Sequence, residues 1–309
     1  VGIIEKDSRL GGTCLLRGCI PTKVLLHDAA LLQKVRRAAK YGFNVNDLEV
    51  DFSKIQQRKE DIVSKLTKGV EYLMKKNKIT SFKGVASLEG SGRISVQDGK
   101  KAVEVKAKNI ILATGSEPKS LPGYSIDSRF VITNNEALDL EVIPRSMAIV
   151  GAGAVGVEFA SIYASFGTKV TLIEALPDIV PLEDEDVSRE LGRWMRKQGI
   201  NVFSGAKLES ADLLKNAVEV TFQTEKDQEK RIKVEKLLMA TGRAPNTKGI
   251  GLENIGLQSD ERGFVRTDQQ PPMAHGIRIH QLGRTRADVH EGGLRRFEEY
   301  GTWLGAFRL

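Results

Sequence analysis

Cysteine, histidine and tryptophan are all scarce in this chain: two, four and two among 309 residues. Two cysteines cannot staple a small secreted fold, and no histidine pair stands at zinc-ligand spacing from them. Such usage suits a reducing cytosol, so a cytoplasmic protein is expected, in which the pair is either catalytic or unrelated. Long apolar runs are missing as well. No stretch reaches the roughly 18 residues that mark a membrane-spanning helix, and no secretory pattern opens the chain. Aromatic residues make up only 6%. The net charge of +7 invites a nucleic-acid reading, but the basic residues lie among many carboxylates on helical faces such as "EYLMKKNK" (residues 71–78). That pattern reads as a solvated surface. Low-complexity tracts are absent, and 40% hydrophobic with 28% charged residues is ample for a packed core.

What is present divides into units. Length alone predicts about two domains. "VGIIEKD" (residues 1–7) reads as the interior of a buried strand with no lead-in, so a truncated start is expected rather than a natural terminus. Residues 19–40 have helical periodicity, with Pro21 tolerated in the first turn. Residues 53–77 predict a second, amphipathic helix, in which Ile55, Ile62, Leu66, Val70, Leu73 and Met74 recur at three- and four-residue spacing. Alternating segments follow ("ITSFKGVASL", "GRISVQ", "KAVEVKAKNIILATG"), as in hairpin-rich sheet, until Pro118, Pro122 and Gly123 break the chain.

A different unit begins near Arg145. "SMAIVGAGAVGVEFASIYASFGTKVTLIEA" is strand, glycine turn, helix and strand. A helix near 184–198, a strand at "INVFSG" and strands through "AVEVTFQTE" and "RIKVEKLLMATG" come next. The "ATG" turns at 113–115 and 240–242 each close an apolar strand, hinting at two similar nucleotide-binding halves. The expected division is 1–144, 145–265 and a remnant at 266–309. In the remnant lysine vanishes: residues 1–270 hold 26 Lys and 15 Arg, residues 271–309 no Lys and six Arg. With the loss of periodicity, a frameshifted end is the leading account and a genuinely divergent C-terminus its rival.

The second glycine loop has the fuller context. Gly151, Gly153 and Gly156 make G-x-G-x-x-G directly after "MAIV" and open a helix. In such a loop the first glycine makes the tight turn and the second lets a pyrophosphate approach the backbone. The third allows helix to pack on strand, and the helix N-terminus faces the phosphates. Glu174 ends the next strand, in "VTLIEA". A carboxylate there accepts ribose hydroxyls and repels a 2′-phosphate, so NAD is expected over NADP. Glu5 ends "VGIIEKD" in the same way, as the second strand of another dinucleotide unit would; its glycine loop would lie about 20 residues upstream. An unrelated surface glutamate is the alternative.

Both cysteines stand in "GGTCLLRGCIPTK" (residues 11–23). Cys14 and Cys19 on a regular helix would not face each other, so a bond between them needs an irregular helix start. Gly11, Gly12 and Gly18 supply that freedom. A constrained pair beside a helix N-terminus favours a stabilised thiolate, and Lys23 adds a cation. Local chemistry leaves open whether the pair is redox-active or simply two buried structural thiols.

Together these residues resemble a family. "GGTCLLRGCIPTK" looks like the redox-disulfide signature of the flavin-dependent pyridine nucleotide–disulfide oxidoreductases. "ATGSEP", "GAGAVGVEFA" and "MATGRAPNTKGIGLENIGL" follow in that family's order, so the match covers most of the chain. Within the family the chain is most similar to the dihydrolipoamide dehydrogenases, through Ile20, Pro21 and Glu174. The resemblance implies an α/β fold of two Rossmann-like dinucleotide-binding domains, one for FAD and one for NAD, in three layers. It also implies roles. Cys19 would face the flavin and Cys14 would exchange with a dithiol substrate, the two forming a disulfide. Lys23 would sit near the flavin and pair with Glu158, itself beside the nicotinamide. Glu5, Gly12, Thr13, Gly84, Ala86, Thr114 and Gly115 would contact FAD; Gly151, Gly153, Gly156, Glu174 and Gly242 would contact NAD.

The sequence also departs from the family pattern. Leu16 stands where the family often has Asn or His. The first FAD phosphate loop, the acid of a later G-D motif expected near 278–285, and the C-terminal dimerisation domain with its His-Glu dyad are absent. His275, His280 and His290 do not reproduce that dyad. The implied function is a fragment of an FAD-dependent dihydrolipoamide dehydrogenase. Its parent would be a homodimer acting on dihydrolipoamide carried by the lipoyl domain of a 2-oxoacid dehydrogenase or glycine cleavage complex. A non-catalytic NAD-binding remnant over 146–265 and a related reductase of the glutathione or mercuric type are the alternatives. No nucleic-acid, membrane or metal partner is expected.

Overall fold

The computed structural model describes residues 1–265 and the backbone of a short strand at 277–279. The chain opens with β1 (Gly2–Glu5), then three helices: α1 (Gly12–Arg17), α2 (Cys19–Arg36) and α3 (Phe52–Lys76). β2 (Thr80–Lys83) returns parallel to β1 and sets Glu5 opposite Lys83. β3 (Val85–Gly90), β4 (Arg93–Asp98) and β5 (Lys101–Lys106) form an antiparallel meander. After β6 (Ile110–Leu112), β7 (Ser116–Pro118) and β8 (Val131–Ile132), α4 (Asn134–Leu138) leads to the second unit.

There the order is β9 (Ser146–Val150), α5 (Ala154–Phe166), β10 (Lys169–Ile173), α6 (Glu185–Lys197) and β11 (Asn201–Phe203). An antiparallel trio follows, β12 (Lys207–Leu213), β13 (Val218–Gln223) and β14 (Glu229–Val234), then β15 (Lys236–Met239) and β16 (Arg243–Pro245). β17 (Ile277–Ile279) lies parallel to β6.

Five strands in the order β11-β10-β9-β15-β8 make an all-parallel sheet. Such a sheet must be covered on both faces, and it is. On one side α5, with α2 and α3 behind it, packs Leu25, Ala29, Leu32 and Phe52 with Phe159, Ile162, Tyr163 and Phe166. On the other the antiparallel trio presses Val218, Val220 and Phe222 onto Ala148, Val150 and Ile173. The result is three layers about this sheet, in an α/β fold. A smaller core joins β3, β4 and β6 to Leu252 and Val265.

Caps explain where the helices begin. Asp51 accepts the Lys54 N–H at the head of α3, and Thr133 and Glu136 form a capping box on α4. Gly167 closes α5 in the left-handed conformation, a position that glycine fills without penalty.

Two expectations need correcting. The helix expected over 19–40 stops at Arg36 and gives way to a 3-10 turn at Ala38–Tyr41. In α3, Leu66 and Leu73 are 41% and 49% exposed, whereas Lys59 is 5% exposed. The buried stripe runs instead through Phe52, Lys59, Val63 and Thr67. Lysine can hold that place because its ammonium reaches the Leu138 carbonyl at 2.7 Å and the Asp139 carboxylate at 2.5 Å.

Candidate active site

The glycine loop shows why each glycine stands where it does. Gly151 turns sharply at φ +96, and a Cβ there would lie 2.4 Å from the Ala240 carbonyl oxygen. At Gly156 a Cβ would come within 1.9 Å of the Gly151 oxygen, so α5 packs directly on its own loop. Gly153, the N-cap of α5, is different: a Cβ there would meet nothing within 4 Å. Open space therefore lies above the first turn of a 13-residue helix, where unpartnered N–H groups attract phosphate. Glu174, buried at the end of β10, holds this loop: its carboxylate accepts the Ala152 N–H at 2.6 Å and the Leu176 N–H at 2.9 Å. These residues fit a dinucleotide, with the carboxylate at the ribose position and the gap at Gly153 for the pyrophosphate.

Cys14 and Cys19 lie on separate helices, because the chain breaks at Gly18. A Cβ on Gly18 would lie 2.8 Å from the Thr13 carbonyl oxygen, so only glycine lets α1 and α2 meet this closely. Both cysteines are free thiols, and the Cys14 thiol feels Cys19 electrostatically across the break. That overturns the picture of two buried structural thiols, since Cys14 is exposed. The expected thiolate is also corrected at Cys14. Although the residue as a whole is exposed, partial desolvation of its sulfur, and then the neighbouring Cys19, push its thiol from 9.0 up to about 11.

One turn beyond Cys19, Lys23 pairs with Glu158 and joins α2 to α5. Glu5 ends β1 and accepts the Asp7 N–H at 2.9 Å. It lines a cleft of about 370 Å³ with the loop 7–10, the C-terminal part of α3 and β2. A strand-end carboxylate in such a cleft fits the adenosine ribose of a flavin dinucleotide. Gly84 donates its N–H to the Glu5 carbonyl at 2.9 Å, and Ala86 follows in β3. Gly12 and Thr13 open α1 beside Cys14.

The two "ATG" turns come together in space. β7 and β16, which follow them, pair antiparallel with Arg243 opposite Pro118. Asn246 stitches the first turn, donating its N–H to the Gly115 oxygen and its side-chain amide to the Thr114 oxygen. Gly242 in the second turn accepts the Lys119 N–H at 3.0 Å. The histidines at 275, 280 and 290 and the expected acid near 278–285 lie outside the described residues, apart from the backbone of β17.

Five residues that interact around Arg17 and Arg243 escape a reading of the sequence. Arg17 pairs with Asp7, its carbonyl accepts the Asn134 side-chain amide at 3.0 Å, and Arg243 bonds Ser116. Burial, and then the charge of Arg17, lower the pKa of Arg243. Only the place of Arg243 directly after "ATG" signals a role in advance.

Comparison with known proteins shows the family. The model of the pyridine nucleotide-disulphide oxidoreductase family matches residues 1–275. A dihydrolipoyl dehydrogenase of Bacillus subtilis is 39% identical over 277 residues, covering 86% of this chain and 58% of that protein. The mitochondrial dihydrolipoyl dehydrogenase of Schizosaccharomyces pombe is 38% identical, with 86% and 53% covered. Among solved structures, the Cu(II) complex of the HOCl-induced flavoprotein disulfide reductase RclA from Escherichia coli superposes with a TM-score of 0.78 at 29% identity, covering 90% of this chain and 59% of that one. The chain thus spans little more than half the length of the relatives it matches. Among the described residues no helix is long and apolar enough to cross a membrane.

Proposed function

The chain belongs to the pyridine nucleotide-disulphide oxidoreductase family, and from that premise we propose that it is the redox-disulfide and nucleotide-binding portion of an FAD- and NAD-dependent dihydrolipoamide dehydrogenase. The observation that carries this reading is the contact of the Cys14 and Cys19 thiols across the break at Gly18. A fold that needs thiols only for packing has no use for an exposed, adjacent pair.

In the forward direction one thiolate of dihydrolipoamide attacks Cys14 of the Cys14–Cys19 disulfide, and Cys19 leaves as a thiolate. The second substrate thiol then attacks its own bonded sulfur, closing the lipoamide ring and releasing Cys14. One disulfide is made, one is broken, and both cysteines end as the dithiol seen here. Bound FAD would supply an acceptor for the electron pair of this dithiol, and bound NAD a final hydride acceptor. Lys23 and Glu158 supply a charged pair next to Cys19, and Glu5 and Glu174 hold the two riboses. The units 1–144 and 145–265 divide these tasks.

The partners of this reading are dihydrolipoamide on a lipoyl domain of a 2-oxoacid dehydrogenase or glycine cleavage complex, and a second copy of the whole enzyme. Its compartment is the cytoplasm, on the strength of the sparing cysteine usage. The intact glycine loop supports a second reading, an NAD-binding remnant without flavin. The test is the visible spectrum of the chain after mixing with FAD and desalting, before and after NADH. A retained flavin band that gains long-wavelength absorbance supports the dehydrogenase reading. A colourless protein overturns it for this chain. Preference for NADPH over NADH would point instead to another reductase of the family.

A further inference from the structure

α1 carries Cys14 yet is only six residues long, too short to persist on its own. Its last carbonyls lose their helical partners where the chain breaks at Gly18. Something outside the helix must therefore hold Cys14 against Cys19.

Two contacts converge on one residue. The Arg17 carbonyl accepts the side-chain amide of Asn134 at 3.0 Å. Asn134 is 9% exposed, in the first turn of α4, and the Thr133–Glu136 capping box anchors it directly after the sheet strand β8. The Arg17 guanidinium pairs with Asp7, in the loop that follows Glu5. Arg17 is thus tied through its backbone to the parallel sheet and through its side chain to the loop beside the flavin-side cleft. It stands between the two cysteines, immediately before the break.

We propose that Arg17 is a positioning residue. Held by Asn134 and Asp7, it fixes α1 against α2 at the separation where the two thiols meet, and so sets how readily they close to a disulfide. The inference rests on the reading of Cys14–Cys19 as the redox pair. Thiols already in contact react at a high effective concentration because the entropy of bringing them together has been lost beforehand. If α1 is released, Cys14 spreads over many positions and that concentration falls.

The test is equilibration of the full chain in glutathione buffers, where oxidised glutathione is reduced to two thiols as Cys14 and Cys19 join. The disulfide fraction is read by alkylation and mass spectrometry. Arg17→Met and Asp7→Asn are each expected to lower the effective concentration about fivefold, a rise of about 20 mV in reduction potential. Asn134→Ala shifts it in the same direction, and Arg17→Lys restores most of the wild-type value. The double variant Arg17→Met with Asp7→Asn goes little further than either alone. Circular dichroism confirms that each variant compared is folded. Wild-type equilibria in folded variants would overturn the positioning role while leaving the redox pair intact. A wild-type chain that forms no Cys14–Cys19 disulfide in any buffer would overturn both.

Discussion

At the scale of the residue, the glycine loop separates folding from binding. Gly153→Ala places a methyl group in open space at an ordinary backbone angle, so the fold survives while the room for a pyrophosphate shrinks. Gly156→Ala drives a methyl group into the Gly151 carbonyl and forces helix and strand apart, at a cost of about 1–3 kcal/mol. Thermal melts and NADH titrations of the two variants should therefore diverge: the first keeps its Tm and loses affinity, the second loses Tm. Glu174→Ala is expected to weaken NADH by at least about tenfold, and the Ala152 N–H left without its acceptor lowers stability as well. Unchanged affinity in that variant would remove the cofactor from this loop.

Cys14 makes a pH prediction at the same scale. Its thiol is raised to about 11, so alkylation by iodoacetamide should climb with pH towards an inflection there, well above an ordinary 9.0. Cys19→Ser removes the neighbouring sulfur, one of the causes that raise Cys14, and should bring the inflection down. The sign for stability follows from proton counting. The folded chain holds this proton more tightly than the unfolded one, so stability is withdrawn as pH rises from 9.0 towards 11. An inflection below 9.0 in the wild type would mean a stabilised thiolate after all.

Among the elements, those with strong local signals were legible in the sequence. The strand–loop–helix–strand around Gly151 and the helix near 184–198, found at Glu185–Lys197, declare themselves by periodicity, glycine spacing and caps. α3 was legible as a helix but not in its facing. Its spacing of Leu66 and Leu73 is helical, yet the groove behind it is met by Val63 and Thr67, one position away on the turn. Long-range partners decide such matters. Nothing near Lys59 in sequence announces the Leu138 carbonyl, and nothing near Arg17 announces Asn134. The pairing of β7 with β16 is equally remote. Lys59→Met keeps the apolar stem but strands the Leu138 carbonyl, so a loss of about 1–3 kcal/mol and a Tm lower by several degrees are expected. Asp139→Asn should cost less, because the lysine keeps its carbonyl partner.

For the whole molecule, the question is whether the nucleotide unit stands alone. The glycine loop and Glu174 are complete within 146–265, which makes that segment look self-sufficient. Its packing says otherwise. The face of α5 turned from the sheet is covered by Leu25, Ala29, Leu32 and Phe52 of α2 and α3. The edge of the sheet beyond β15 is supplied by β8, from before that segment. Losing the three large side chains among them, Leu25, Leu32 and Phe52, exposes apolar surface worth roughly 5–9 kcal/mol at about 1.5–3 kcal/mol for each, as much as a typical domain's whole stability. The excised segment 146–265 is therefore expected to aggregate or to melt far below the full chain, and to bind NADH poorly, while the full chain melts as one unit. A soluble 146–265 with a Tm near that of the full chain would show that α2 and α3 only rest on α5. In the packing seen here the helix that begins at Cys19 also covers the nucleotide sheet's core and pairs Lys23 with Glu158 of α5, so the excised segment loses the partner of Glu158 along with the cover of its core.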